Sequence, residues 1–335
     1  MSFFAVLLAL FIEQARPLTR GNWIHVSLRV WACWTARNFD AGKRRHGWVA
    51  WSVTVILPTL MVLGVHALLW HLSGVLAFAW SVAVLYMTLG FRQFSHYFTD
   101  IRDALEDADE PLARELLAKW RQVDASELPR SEIVRHVIEY SVLAAHHHVF
   151  GVLAWFSIFA ALGLGPAGAV LYRMSEFVAR YWTYKSHQRG EGISASLRHV
   201  AMRFWGLIDF LPARMTALGF AVVGSFEDAV DCWRNYKQRF PVTTARHNDG
   251  VLLAATSGAV NVRLGGQALK TVEMPSTLQS FQATGPDVLT ESLTQMTSGR
   301  EPEVAHLRSI VGLVWRSVVL WMVVLALLTL ARLLG

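Results

Sequence analysis

An acid and a base stand five residues apart in the apolar stretch LIDFLPARMTALGFAVVG, Leu207 to Gly224, as Asp209 and Arg214 with Pro212 between them. Ionised groups at membrane depth face protein or water, since each costs roughly 2.5 to 3.5 kcal/mol at the centre of a helix in lipid. A continuous helix does not set positions five apart on one face. Proline removes a backbone donor and clashes with the preceding turn, so a break near Leu211 is expected, turning the two side chains toward one polar site or a common ligand. The competing reading is an interfacial segment with Arg214 reaching out to headgroups.

Two further stretches carry chemistry-bearing side chains. In AAHHHVFG the adjacent imidazoles of His146, His147 and His148 point about 100° apart on a helix and do not share one ion, but His147 can meet Glu139 or His136 across turns. Histidines capping a span at its interface are the simpler reading, so no metal site is assigned and His147 with Glu139 stand as candidates. HNDG, His247 to Gly250, has the composition of a stock turn, and the VRLGG that follows it adds the cation Arg263.

These groups must be positioned by membrane helices. The chain has 335 residues, 53% apolar and 17% charged, against about 25% charged in a soluble domain. Cys33 and Cys232 have no CxxC partner, which signals neither a disulfide framework nor a thiolate site. The sequence pI near 9.6 fits the cationic loops of a membrane protein. No basic run interleaved with stacking aromatics is present, so nucleic acid is excluded as a partner.

Trp48 to Trp70 and Gly74 to Phe91 are each long enough to span, and the short HLS between them predicts a helical hairpin over 48–91. Val149 to Leu171 and Ser317 to Leu330, extending back toward Ile310, are further spans, and the opening MSFFAVLLALFIEQ reads as a short, partly inserted helix. Basic residues before Trp48 place 92–147 in the cytoplasm by the charge rule, as amphipathic helices broken at Pro111. A single crossing by Val149 to Leu171 would put Arg173, Arg180 and Lys185 on the wrong side; a re-entrant or hairpin arrangement around GLGPAG removes that conflict. The expected fold is an all-α integral membrane protein: a polytopic helical bundle of four or five membrane segments with re-entrant pieces and cytoplasmic helical insertions. Its parts are the hairpin, the insertion, a core with Gly/Pro breaks over 149–224, a cytoplasmic loop region over 225–308 and a C-terminal membrane helix over 310–332. The Ser/Thr/Gln-rich run from Ser276 to Arg300 reads as a loop over the pocket.

GLGPAGAVLYR (Gly163 to Arg173), DFLPARMTA (Asp209 to Ala217) and HNDGVLLAATSGAVNVRLGG (His247 to Gly266) stand in the order and spacing of three signatures of the CobD/CbiB family, and the chain resembles that family from Asp103 onward. The family is that of membrane-embedded cobinamide-phosphate synthases. The resemblance implies joining of an aminopropanol phosphate to a corrinoid carboxylate with ATP and Mg²⁺. It implies ligand-binding roles for Tyr172, Arg173, Asp209, Arg214, Asn248, Gly250 and Arg263, with Arg for oxyanions and the Gly-bearing turn for backbone donation. Where the family's pattern has further acids, this chain has Leu143, Ala144 and His147, then Glu176 and Ala179, then Trp205 and Gly206. Hard oxygen ligands for Mg²⁺ are therefore fewer.

The opening helix and LIDFLPAR resemble the AmpE-like branch, which implies a sensor or signalling protein of the bacterial inner membrane that keeps a phosphate-like pocket. Three functions follow: that sensor as the first reading, a working synthase using ATP and Mg²⁺ as the alternative, and a transporter as the third. The transporter fits least, because charges within the apolar runs are confined to Asp209, Arg214 and Arg316, without repeated broken helices. The implied partners are the bilayer and a corrinoid or other phosphate-bearing small molecule.

Overall fold

The computed structural model describes residues 2–16, 23–40, 42, 44–90, 92–121, 124–187, 193–239, 245–266 and 297–334. The fold is an all-α bundle, and the chain is an integral membrane protein. Among the described residues three helices are long and apolar enough to cross a membrane, Arg45–Leu72, Arg130–Ala161 and Val304–Ala331, or four if the pair Ala195–Ile208 and Phe210–Val223, bent by 43°, counts as one span.

After α1 (Ser2–Ala15) and α2 (Trp23–Phe39), the expected hairpin forms from α3 (Arg44–Leu72) and α4 (Gly74–Thr88), although α4, at 15 residues, is shorter than the full span expected of Gly74 to Phe91. Ser73 is the residue that reverses the chain: its backbone is extended and its hydroxyl accepts from the Val75 N–H, satisfying a donor left over at the start of α4. Pro58 lies inside α3 and cannot donate to the carbonyl of Thr54. The indole N–H of Trp31, on α2, reaches that carbonyl at 3.4 Å, so a proline within a membrane helix is repaired from a neighbour.

The segment 92–147 divides differently from the sequence expectation. α5 (Arg92–Glu106) and α6 (Glu110–Arg121) form the amphipathic pair, with the chain turning at Ala108, in left-handed backbone at φ 60°, and Pro111 in the first turn of α6. α7 (Arg130–Ala145), however, continues through a π-helical segment (His146–Phe150) into α8 (Gly151–Ala161). The apolar helix thus begins at Arg130, not Val149. Its charged residues are paired within protein, which removes the cost that made them look like a soluble face.

Reversal after α8 follows from GLGP. Gly163 is in left-handed backbone at φ 78°, and the N–H groups of Leu164 and Gly163 donate to Phe159 and Ala160 carbonyls at 2.8 and 3.2 Å, the two bonds of a glycine-terminated helix end. α9 (Ala167–His187) then runs back along α8, closely enough that a Cβ on Gly168 would lie 2.2 Å from the Trp155 carbonyl oxygen. This is the hairpin arrangement around GLGPAG, and it returns Arg173 and Arg180 toward the side from which α7 came.

α10 (Ala195–Ile208) and α11 (Phe210–Val223) meet at Asp209. The break falls three residues before Pro212, which occupies the first turn of α11, where its missing N–H would have had no helical acceptor. The stretch 225–308, expected to be loop, instead carries α12 (Phe226–Arg239) and α13 (Ala245–Val260) before α14 (Val304–Leu334). α13 is deeply buried because Gly224 and Gly258 let neighbouring backbone approach: a Cβ on Gly258 would sit 2.2 Å from the Asp228 carbonyl. Most of the run Ser276 to Arg300 lies outside the described residues; Thr297 to Arg300 close against Val262 to Leu264 through backbone hydrogen bonds.

The apolar interior forms two cores. One gathers α5–α7 and α11–α14, the other α1–α4, α8, α9 and α10. The π segment is their seam: Phe150 packs into the first and Val149 into the second.

Candidate functional site

The seam is polar, and its geometry starts from the π segment. A π turn adds a residue to the helical turn and shifts the faces beyond it, a feature that recurs at functional sites. Here His146, His147 and His148 are all buried at that point. The next residue, Gly151, leaves room for an aromatic ring: a Cβ there would lie 2.1 Å from the hydroxyl oxygen of Tyr172.

Asp209 stands at the N-cap position of α11 but makes no capping bond. Its side chain turns inward. Oδ1 accepts from the Tyr172 hydroxyl at 2.8 Å and lies 2.9 Å from His146 Nε2, while His146 Nδ1 lies 3.0 Å from the Thr216 hydroxyl. With Asp209 ionised, Nε2–H donates to it and the Thr216 hydroxyl completes the ring's polar contacts. Asp209 Oδ2 is buried and has no hydrogen-bond partner among the described residues.

Arg214, the sequence-predicted companion of Asp209, takes another partner. Its Nη1 donates to Asn248 Oδ1 at 2.6 Å and to the Phe210 carbonyl at 2.8 Å, and the guanidinium lies 3.5 Å from the Phe210 ring centre. Asn248 in turn donates to the Gly206 carbonyl at 3.0 Å. The expected Asp209–Arg214 pairing is therefore corrected to two adjacent arrangements, because the break at Asp209 turns the acid toward α9 while Arg214 faces α13. Neither side chain reaches out alone to headgroups.

HNDG is helical, the first turn of α13, and does not form the expected donor turn. Gly250 is glycine for close approach, since a Cβ there would lie 2.0 Å from the Tyr236 hydroxyl oxygen. Between Asn248 and Gly250, Asp249 puts Oδ1 3.2 Å from His147 Nε2. Burial pushes the Asp249 carboxyl above its usual range against the opposing pull of His147. Burial, then the charge of Asp249, raises the Tyr236 phenol to about 12, and burial lowers His247. Trp205 closes the arrangement, its ring centre 5.5 Å from that of His147 and 5.1 Å from that of Tyr172.

Arg173 sits beside the centre, not in it. Its Nη1 lies 2.7 Å from His148 Nδ1 and pairs with Glu176, which also pairs with Arg180. Glu139 does not join His147: it accepts from Arg135 at 3.0 Å and from the Gly265 N–H at 2.6 Å, bracing α7 against the chain after α13. Arg263 is exposed, and its side chain reaches only the Gly299 carbonyl at 3.4 Å. In the extended stretch at that point Val262 and Leu264 turn inward, which sends the residue between them outward. Of the residues expected to bind ligand, the structure thus brings Tyr172 and Asp209 together, sets the Arg214–Asn248 pair beside them, packs Gly250 against Tyr236, places Arg173 at the edge and leaves Arg263 away.

The family profile described as CobD/Cbib protein matches residues 3–296. The chain belongs to the CobD/CbiB family. Among its relatives is the cobalamin biosynthesis protein CobD of Stutzerimonas stutzeri (strain A1501), 29% identical over 286 residues, 85% of this chain and 82% of that protein. A protein of the same description from Chromobacterium violaceum is 33% identical over 187 residues, 56% of this chain and 55% of the relative. One from Leptospira interrogans (strain 56601) is 27% identical over 223 residues, 65% of each. No solved structure matches.

The three CobD/CbiB-like segments meet in space around the π turn: Tyr172 from the first, Asp209 and Arg214 from the second, Asn248 and Asp249 from the third. Sequence reasoning missed His146, Thr216 and Asp249. The π turn that aims His146 has no local sequence signal, whereas Asp249 was legible had HNDG been placed on a helix.

Proposed function

We propose that this chain is a multi-pass protein of the bacterial inner membrane that works in cobalamin assembly, joining a phosphate-bearing amine to a corrinoid carboxylate. The observation that carries this reading is the convergence of the three family segments on one buried polar centre. The relatives are bacterial and carry the cobalamin biosynthesis name, which favours synthesis over the AmpE-like signalling role.

In this reading the chain's own groups bind and orient. Arg214 uses Nη1 toward Asn248 and Phe210, and its Nε and Nη2 make no hydrogen bond among the described residues, leaving one edge of the guanidinium fork for a phosphate oxygen pair. Asn248 and the Phe210 ring fix that fork. ATP supplies the driving force of such a condensation. The donors around His147 are mixed nitrogen and oxygen, a poor match for the all-oxygen octahedron Mg²⁺ prefers, so no step is routed through magnesium there.

Purified protein in detergent, given ATP, Mg²⁺, aminopropanol phosphate and a corrinoid bearing a free carboxylate, should form the amide, followed by mass spectrometry. Arg214→Lys should raise KM for the phosphate substrate about tenfold with the fold intact, because an ammonium does not reproduce the fork. Absence of product with Mg²⁺, Mn²⁺ or Zn²⁺ would remove the reading.

A further inference from the structure

Three buried polar atoms meet at the seam: Asp209 Oδ2, which has no hydrogen-bond partner among the described residues, and His147 Nε2 with Asp249 Oδ1, which face each other. They are not scattered. His147 Nε2 and Asp249 Oδ1 are 3.2 Å apart, and ligand atoms of His146, His147 and Asp209 all lie within 4.8 Å of one another. Asp209 is fully buried and His147 is 8% exposed, which sets both away from bulk solvent. An unpaired buried carboxylate oxygen is expensive, and Asp209 Oδ2 beside the buried His147–Asp249 pair is a setting that a cation relieves.

We propose that His147 Nε2, Asp209 Oδ2 and Asp249 Oδ1 bind a divalent transition-metal ion of the zinc, iron or manganese class. Two ligands held about 2.0 to 2.1 Å from one tetrahedral ion are ~3.3 Å apart, the spacing His147 and Asp249 already have. Imidazole with carboxylate suits these ions and not Mg²⁺. The outer contacts are also those of a ligating carboxylate: Tyr172 and His146 hold Asp209 by Oδ1, leaving Oδ2 turned away from them. The Trp205 ring packs edge-on against the imidazole. Three protein ligands leave a position for water or for an oxygen of a bound substrate.

The inference does not rest on the synthase reading, because metal binding is measured without corrinoid or ATP. Full-length protein carrying a tag without histidine, purified in detergent and stripped with chelator, is titrated with Co²⁺ while its visible absorption is followed. One Co²⁺ per chain is expected, displaced by Zn²⁺ and not by a large excess of Mg²⁺. His147→Gln and Asp209→Asn should each weaken Co²⁺ binding about 100-fold, and Tyr172→Phe, which keeps every donor atom, about tenfold. His66→Gln, on α3, should change nothing. If the two ligand variants do not fold, Tyr172→Phe decides. No stoichiometric Co²⁺, displacement by Mg²⁺, or wild-type affinity in the folded variants would overturn the site.

Discussion

Two membrane-length helices of similar size occupy opposite environments. Arg45–Leu72 has 28 residues, a mean hydropathy of 2.0 in its most apolar stretch and only 17% of that stretch buried; Arg130–Ala161 has 32 residues, 1.5 and 78%. The first spends its apolar side chains on lipid, with Leu57, Leu60, Met61 and Leu68 exposed on its surface. The second is surrounded by other helices and carries Arg135, Glu139 and four histidines. Lower hydropathy marks the central helix here, because a helix walled in by protein can hold polar groups provided that neighbours pair them.

The contrast can be broken most directly at the seam. Asp209→Ala removes the acceptor for Tyr172 and His146, both buried, and should lower stability by about 3 kcal/mol, read from unfolding in detergent; a wild-type Tm would show that the centre is loosely held. On the lipid-facing helix, Leu60→Lys should cost roughly 2.5 to 3.5 kcal/mol of insertion free energy, measured by a translocon insertion assay. Leu60→Ala should leave folding almost unchanged, since the Leu60 side chain is more than half exposed. Between α8 and α9, Gly168→Ala meets the Trp155 carbonyl and should destabilise by about 1 to 3 kcal/mol, whereas Gly64→Ala on α3, where nothing lies near the added carbon, should not.

The smallest effect lies on the periphery. Arg308 holds the Glu106 carboxyl below its usual range through hydrogen bonds of 3.1 and 2.9 Å. A depressed carboxyl contributes above its unfolded pKa and loses that contribution as pH falls through its folded value. The pair is exposed, so Glu106→Gln at pH 7 should shift Tm by no more than the scatter of the measurement, and any difference should vanish in acid.

How much of this was legible depends on what each residue reports. Trp48 to Phe91 read as a hairpin because apolar runs flank a capping serine, and the amphipathic pair with its turn before Pro111 was equally plain. Pro212 signalled a broken helix, though the break falls at Asp209. The helix from Arg130 did not read as membrane-length, because Arg135 and Glu139 resemble a solvated face until their partners, 3.0 Å from each other and, for Glu139, at Gly265, are known. For the same reason the site was only half visible. Tyr172, Asp209, Arg214 and Asn248 were named through motif order, but pairing Asp209 with His146 in place of Arg214 is a tertiary choice that no spacing encodes.

The bond between His146 and Asp209 joins residues 63 apart in the chain, and the Glu139 contact to Gly265 joins residues 126 apart. At about 5 to 20 residues per second, a ribosome takes roughly 3 to 13 s to make the first of those intervals. During biogenesis the helix Arg130–Ala161 is therefore complete before the partner of His146 and the Gly265 contact of Glu139 exist. Arg45–Leu72 can be released to lipid at once, but the later helix needs shelter beside the insertion machinery until α9, α10 and α11 arrive to receive its histidines.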